Sequence, residues 1–222
     1  MEFNLAQTIA IYALPVIFAI TLHEAAHGYV ARHFGDKTAF MLGRISLNPL
    51  RHIDWVGTIA VPLLILVAAK LFGGPPALFG WAKPVPVNFH ALRHPKRDML
   101  WVAAAGPAAN LFMAIAWALV MKGLHFFPES ALAEFLGAMS LAGLQVNIVL
   151  MVLNLLPILP LDGGRIAVSL LPDRLALGYA RLEPFGFPIL LLLIFLPPHL
   201  LGAIMMPMVQ ASIGVIETLF RL

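Results

Sequence analysis

Cysteine is absent from this chain. Disulfides are therefore excluded, and so are thiolate ligands; a metal here must be held by histidine and carboxylate. Charge is scarce as well. Only 11% of the 222 residues are Asp, Glu, Lys or Arg, against 61% hydrophobic. No charged block is left over for a soluble domain of ordinary size. A mean hydropathy of +0.91 means more apolar surface than a soluble fold can hide. There is no basic–aromatic run and no GxxxxGK[ST] loop, so no nucleic-acid partner and no phosphate loop are expected. The first apolar run is long and lacks a basic start and a small-residue cleavage site, so it does not read as a removable signal peptide. What remains is an all-α polytopic membrane protein, a single integral-membrane domain over 1–222.

Five stretches are apolar enough to read as full spans: Leu5–Ala31, Met99–Met121, Leu136–Leu156, Phe185–Leu196 and His199–Phe220. Val56–Phe72 is short, contains Pro62, and closes on Lys70, Gly73, Gly74, Pro75 and Pro76. Leu78–Phe89 (LFGWAKPVPVNF) is rich in Pro and β-formers and predicts an extended edge with short β-strand character. Positive charge orients the chain. Arg32, Lys37, Arg44 and Arg51 follow the first span; Arg93, Lys96 and Arg97 precede the next; Arg165, Arg174 and Arg181 follow the third. All should be cytoplasmic. Val56–Phe72 must then be re-entrant, the N-terminus outside and the C-terminus inside.

The chemistry sits in Thr21–Val30, TLHEAAHGYV. His23 and His27, four apart, share one face of a helix and aim at a single point. Two neutral imidazoles so placed can share a zinc ion, with Glu24 beside them as general base. Glu24 is the one charge inside the span, and ionisable groups in a bilayer are costly and usually functional. The motif lies about 7–13 Å below the boundary at Arg32, at about 1.5 Å per helical residue. A tetrahedral zinc needs a third protein ligand. Asp162 follows the helix broken by Pro157 and Pro160, on the same side and at similar depth, with Gly163 and Gly164 permitting a tight turn. It could instead cap the segment after it. Asp54 is the alternative ligand. Of the other histidines, only His52 and His90 are placed to approach the site.

His23-Glu24-Ala25-Ala26-His27, together with Asn154-Leu155-Leu156-Pro157-Ile158-Leu159-Pro160-Leu161-Asp162-Gly163-Gly164, resembles the site-2 protease family of intramembrane zinc metalloproteases. Gly106-Pro107-Ala108-Ala109-Asn110 matches a further family pattern. GRISLNP and GWAKPVPVN resemble its short bacterial and archaeal branch. The likeness runs from about Ala19 to Arg165, and the family's PDZ or CBS modules have no room here. The resemblance implies hydrolysis of peptide bonds within a transmembrane substrate, in a multi-pass protein of a prokaryotic cell membrane. It implies one Zn2+ per chain on His23, His27 and Asp162, and Glu24 as base. Asn154 would donate to the oxyanion or hold the substrate backbone. Asn110 would be a substrate contact or simply a tie between helices.

A helical substrate must be opened before attack, and Leu78–Phe89 offers an edge on which an opened peptide can add as a strand. Trp81, Lys83 and Val85 are its candidate substrate-binding residues, although Trp81 and Lys83 also suit an interfacial anchor. The rival reading is a divalent-metal transporter. A transporter should show repeated halves or ligands strung along a path, and this chain shows neither.

Overall fold

The computed structural model describes residues 3–61, 63–64, 67, 81–127, 130–195 and 200–222. Among the described residues, seven helices longer than two turns follow one another: α1 (Leu5–His33), α2 (Pro95–Leu124), α3 (Ala131–Leu155), α4 (Asp162–Leu170), α5 (Asp173–Ala180), α6 (Glu183–Phe195) and α7 (Leu200–Phe220). Four of them, α1, α2, α3 and α7, are long and apolar enough to cross a membrane. α6 has 13 residues, about 20 Å at 1.5 Å each, too short to cross alone. Together with α5, across a 62° bend, it has the length and composition of a broken span or a re-entrant loop. Neither Phe185–Leu196 nor a straight five-span count is therefore supported.

The helix ends follow from local chemistry. Asn4 caps α1 through a reciprocal box with Gln7: Gln7 N–H donates to Asn4 Oδ1, and Asn4 N–H to Gln7 Oε1. α2 opens on Pro95 at its first turn, where the missing N–H costs no hydrogen bond. Ser130 caps α3 by accepting from Ala133 N–H. α3 stops at Leu155, two residues before Pro157, because the residue preceding a proline is pushed out of the helical region. α4 begins at Asp162, with Leu161 as its cap residue. Gly163 and Gly164 are helical here. A Cβ on Gly163 would strike the carbonyl of Leu155, and one on Gly164 would lie 2.5 Å from Leu159 N. They are needed for close approach of α4 to the end of α3, not for a left-handed turn.

α2 packs along both α1 and α3, and α7 lies against α3. Ala114 and Ala118 of α2, Leu144, Ile148 and Val152 of α3, and Met205, Val209 and Ile216 of α7 form the main cluster. Lipid tails are as apolar as leucine, so close packing rather than water exclusion must hold such helices together. Small residues permit it: a Cβ on Gly143 would overlap the ring of Trp117 at 2.5 Å.

The arginine-bearing segments gather at one end. Arg93 Nη2 donates to His33 O at the end of α1. Lys96 Nζ donates to Leu171 O and to Asp173. At the other end, Phe3 lies 6.3 Å from Phe135, ring to ring, and Lys122 Nζ donates to Phe220 O at 2.6 Å. Both termini thus share the end opposite Arg93 and Lys96. The C-terminus, expected on the arginine side, is placed oppositely because α6 does not cross by itself.

No strand occurs among the described residues, which corrects the expectation of short strands. Residues 81–88 run as neither helix nor strand. Pro84 and Pro86 remove two of the segment's N–H groups, and many of the remaining polar groups bond to side chains rather than to a neighbouring strand. Of the expected re-entrant stretch Val56–Phe72, Trp55–Ala60 forms a π-helical turn. Much of the rest of that stretch, including Pro62 and 68–72, lies outside the described residues, as do 78–80.

Candidate metal centre

α1 presents His23 and His27 one turn apart, both buried at 7–8% exposure. Their Nε2 atoms are 3.1 Å apart. α4 brings Asp162 Oδ2 to 3.2 Å from His23 Nε2 and 3.3 Å from His27 Nε2. Asp162 is not the cap of its helix; its carboxylate is turned to the histidines instead. Asp54, the alternative, is engaged elsewhere: its Oδ1 accepts from the N–H groups of Val56 and Gly57.

The far side of each imidazole decides what faces Asp162. His27 Nδ1 lies 2.7 Å from the carbonyl oxygen of Val102, and His23 Nδ1 lies 2.6 Å from Asn110 Oδ1. Both partners are acceptors, so each Nδ1 carries the hydrogen and each Nε2 presents a lone pair. Two lone pairs and a carboxylate oxygen then converge with no donor among them. Asp162 Oδ2 is buried without a hydrogen-bond partner. Such convergence is repulsive unless a cation lies among the three atoms. Space is kept for one. A Cβ on Gly106 of α2 would sit 2.5 Å from His27 Nε2 and 2.6 Å from His23 Nε2. His23, His27 and Asp162 are the only such group of three found among the described residues. The residues present fit a metal, and nitrogen and oxygen donors in this set suit zinc.

Glu24 is half-buried beside the cluster. Val85 N–H donates to its Oε2 at 2.7 Å. His23, Glu24, His27, Val85, Asn154, Asp162 and Arg165 all line one cleft of about 400 Å³. Asn154 donates Nδ2 to Leu150 O one turn back, which turns its amide along the helix at the cleft wall. Segment 81–88 roofs the cleft and is anchored at several points. Trp81 N–H donates to Gly57 O, Lys83 N–H to His52 O, and Asn88 N–H to Asp36 Oδ2. Arg44 Nη2 donates to the carbonyls of Lys83 and Pro84. The Trp81 ring rests against Phe187 at 5.3 Å. Of the residues expected to hold substrate, Val85 borders the cleft, whereas Trp81 and Lys83 use their main chains to fasten the roof. His52 is buried under this roof and His90 is exposed; neither is in the cluster.

Asn110 lies behind the histidines rather than in the cleft. It is fully buried, with Oδ1 toward His23 and Nδ2 donating to Asn147 Oδ1 and Ala19 O. Asn147 and Asp36 carry no role in the sequence reading, and Gly106 and Arg44 enter it only within a motif and as a charge that orients the chain. One signal for Asn147 was available: Ser140, Asn147 and Asn154 recur every seven residues along an otherwise apolar helix, marking one polar face.

Comparison with known proteins points the same way. The chain is 38% identical over 211 residues to "Putative zinc metalloprotease YwhC" of Bacillus subtilis, covering 93% of this chain and 89% of the relative. It is 32% identical over 182 residues to "Putative zinc metalloprotease Rip2" of Mycolicibacterium smegmatis, covering 82% of this chain and 65% of the relative. The protein of the same name in Mycobacterium tuberculosis is 31% identical over 186 residues, covering 84% and 66%. No family model matches the chain, and no solved structure matches it.

Proposed function

Because the chain belongs to the zinc metalloprotease family of these relatives, with zinc as its cofactor, we propose that it hydrolyses peptide bonds within or near transmembrane segments of membrane proteins. The observation that carries this reading is the junction of the His23–His27–Asp162 cluster and Glu24 in one cleft, set among helices long and apolar enough to span a bilayer. In that reading His23, His27 and Asp162 hold the metal. Zinc, when bound, supplies Lewis acidity that acidifies water and polarises the scissile carbonyl.

The remaining steps belong to side chains. Glu24 accepts a proton from the attacking water and hands it to the departing amine. Among the described residues only its Oε2 is engaged, by Val85 N–H, which leaves Oε1 for the proton. Asn154, on the cleft wall, holds the substrate backbone or donates to the oxygen that becomes negative. Substrate lies along the roof. Val87 N–H and the Val85 carbonyl have no partner among the described residues, and both belong to Pro84–Val87, which borders the cleft. An unwound peptide added there satisfies those groups as a strand does at a sheet edge. The positive residues at the site's end of the bundle support a cleft that opens toward the cytoplasm. A divalent-metal transporter is not favoured, since the single cluster found has no counterpart along a path among the described residues.

The test uses purified protein in bilayers and a synthetic transmembrane peptide. Cleavage should stop with chelator, return with zinc, and be absent from Glu24→Gln. Cleavage that persists without zinc sinks the reading.

A further inference from the structure

α3 contributes a buried amide, Asn147, that touches neither the metal cluster nor the cleft. Its partners form a chain of fixed polarity. The carbonyl oxygen of Gly143 can only accept, so Asn147 must turn Nδ2 toward it, at 2.8 Å. Asn147 Oδ1 then faces Asn110 and takes a hydrogen from Asn110 Nδ2 at 3.0 Å. The carbonyl oxygen of Ala19 demands the same orientation from Asn110, at a longer 3.3 Å. With its nitrogen committed on that side, Asn110 has only Oδ1 to offer His23, 2.6 Å from Nδ1. His23 must donate from Nδ1 and keep its Nε2 lone pair toward Asp162 and His27.

We propose that Asn147 is a positioning residue for the zinc ligand His23, acting through Asn110, and that the Gly143 and Ala19 carbonyls set the polarity of the whole chain. The proposal rests on the reading of His23, His27 and Asp162 as the metal ligands. Reversing either amide alone would set N–H against N–H or leave a backbone carbonyl facing an amide oxygen, each a buried mismatch. A reversed Asn110 would offer His23 a donor and favour the tautomer whose Nε2 carries hydrogen, which cannot bind metal. Three helices are thereby involved in one ligand's protonation pattern: α1 through His23 and Ala19, α2 through Asn110, α3 through Asn147.

A mere tie between helices would have different consequences, and zinc affinity separates the two. The measurement is the zinc dissociation constant of the full-length protein in detergent, by competition with a chromophoric chelator, alongside thermal stability of the zinc-free form. Removing a partner that orients a metal-bound histidine costs about 10–100-fold in affinity, so Asn110→Leu should fall in that range and Asn147→Leu at its lower end, about tenfold. Asn110→Asp, which keeps an acceptor for His23, should retain zinc. The double variant Asn110→Leu/Asn147→Leu should bind no more weakly than Asn110→Leu alone, since the distal amide then has nothing to act through. Additive losses, or wild-type affinity in Asn147→Leu, overturn the proposal. If the leucine variants do not fold, the ring-nitrogen resonances of His23 in zinc-free wild type still decide. They should show a hydrogen on Nδ1, donated to Asn110, and an Nδ1 without hydrogen overturns it. Zinc that stays bound in His23→Ala removes the metal-site reading itself, and the amide chain with it.

Discussion

Substituting Gly106 by alanine sets two effects of opposite sign against each other. Gly106 is within α2, so alanine should favour the helix by up to about 1 kcal/mol. Its methyl, however, would lie 2.5 Å from His23 Cε1 and His27 Nε2 and 2.6 Å from His23 Nε2. Ordinary carbon contacts need about 3.5–4 Å, so the rings or the helices must part by roughly 1 Å. The rings cannot simply swing away, because Asn110 and the Val102 carbonyl hold both Nδ1 atoms. Overpacking of this kind costs about 1–3 kcal/mol, which cancels or exceeds the helix gain. The larger effect falls on the metal, whose two nitrogen ligands are the displaced atoms. Gly106→Ala should therefore keep its helix content, change little in stability, and lose at least about 10²-fold in zinc affinity, as disturbing two ligands should exceed the loss of one supporting contact. Gly123→Ala in the same helix is the control, since a Cβ there meets nothing within 4 Å. It should bind zinc as wild type does. Circular dichroism reports the helix and chelator competition the metal. Wild-type zinc affinity in Gly106→Ala would refute the argument that this glycine keeps the space for the ion.

The same geometry dictates four further outcomes. Glu24→Gln should retain zinc but lose cleavage by about 10²-fold or more, because an amide cannot take the proton; equal zinc and equal turnover would contradict its role. Asp162→Ala should lower zinc occupancy as well as activity, whereas Asp54→Ala should leave zinc bound, since Asp54 caps the turn at Trp55–Ala60. Val85→Pro removes the N–H that donates to Glu24 Oε2, so cleavage should collapse with zinc content unchanged while Val85→Thr remains mild; unchanged rates would show the roof to be no more than a loop. Zinc removal should lower the melting temperature and zinc addition restore it, as ligand linkage requires, and a melting temperature indifferent to zinc would mean that His23, His27 and Asp162 do not bind it when folded.

The metal centre was legible where it depended on periodicity within one segment. The spacing of His23 and His27 decides their shared face by helix geometry alone, and the prolines at 157 and 160 announce the break that frees Asp162. Contacts between segments were less so. Asn110 carried a motif, but only the crossing of α1 and α2 shows that its oxygen serves His23 and not a substrate. Gly106 sits in a motif and Asn147 on a polar heptad face, but neither pattern records what approaches them: the two imidazoles at Gly106 and Asn110 at Asn147. Val85 stood out as part of an edge; that its N–H already faces Glu24 depends on the path of 81–88 across α1. The C-terminal arrangement was misjudged for a related reason. Hydropathy makes Phe185–Leu196 apolar, yet the 13 residues of α6 cannot cross a bilayer, and the Lys122–Phe220 contact places the chain's end.

The central claim is that zinc-dependent hydrolysis occurs on a peptide bond inside a membrane-spanning segment. The most direct measurement is mass spectrometry of the products formed from a transmembrane peptide in vesicles by the zinc-loaded protein. The account predicts two fragments whose new ends lie within or at the edge of the apolar stretch, each product absent with chelator and absent with Glu24→Gln. Cuts confined to the water-exposed flanks, or fragments formed equally without zinc, would contradict it.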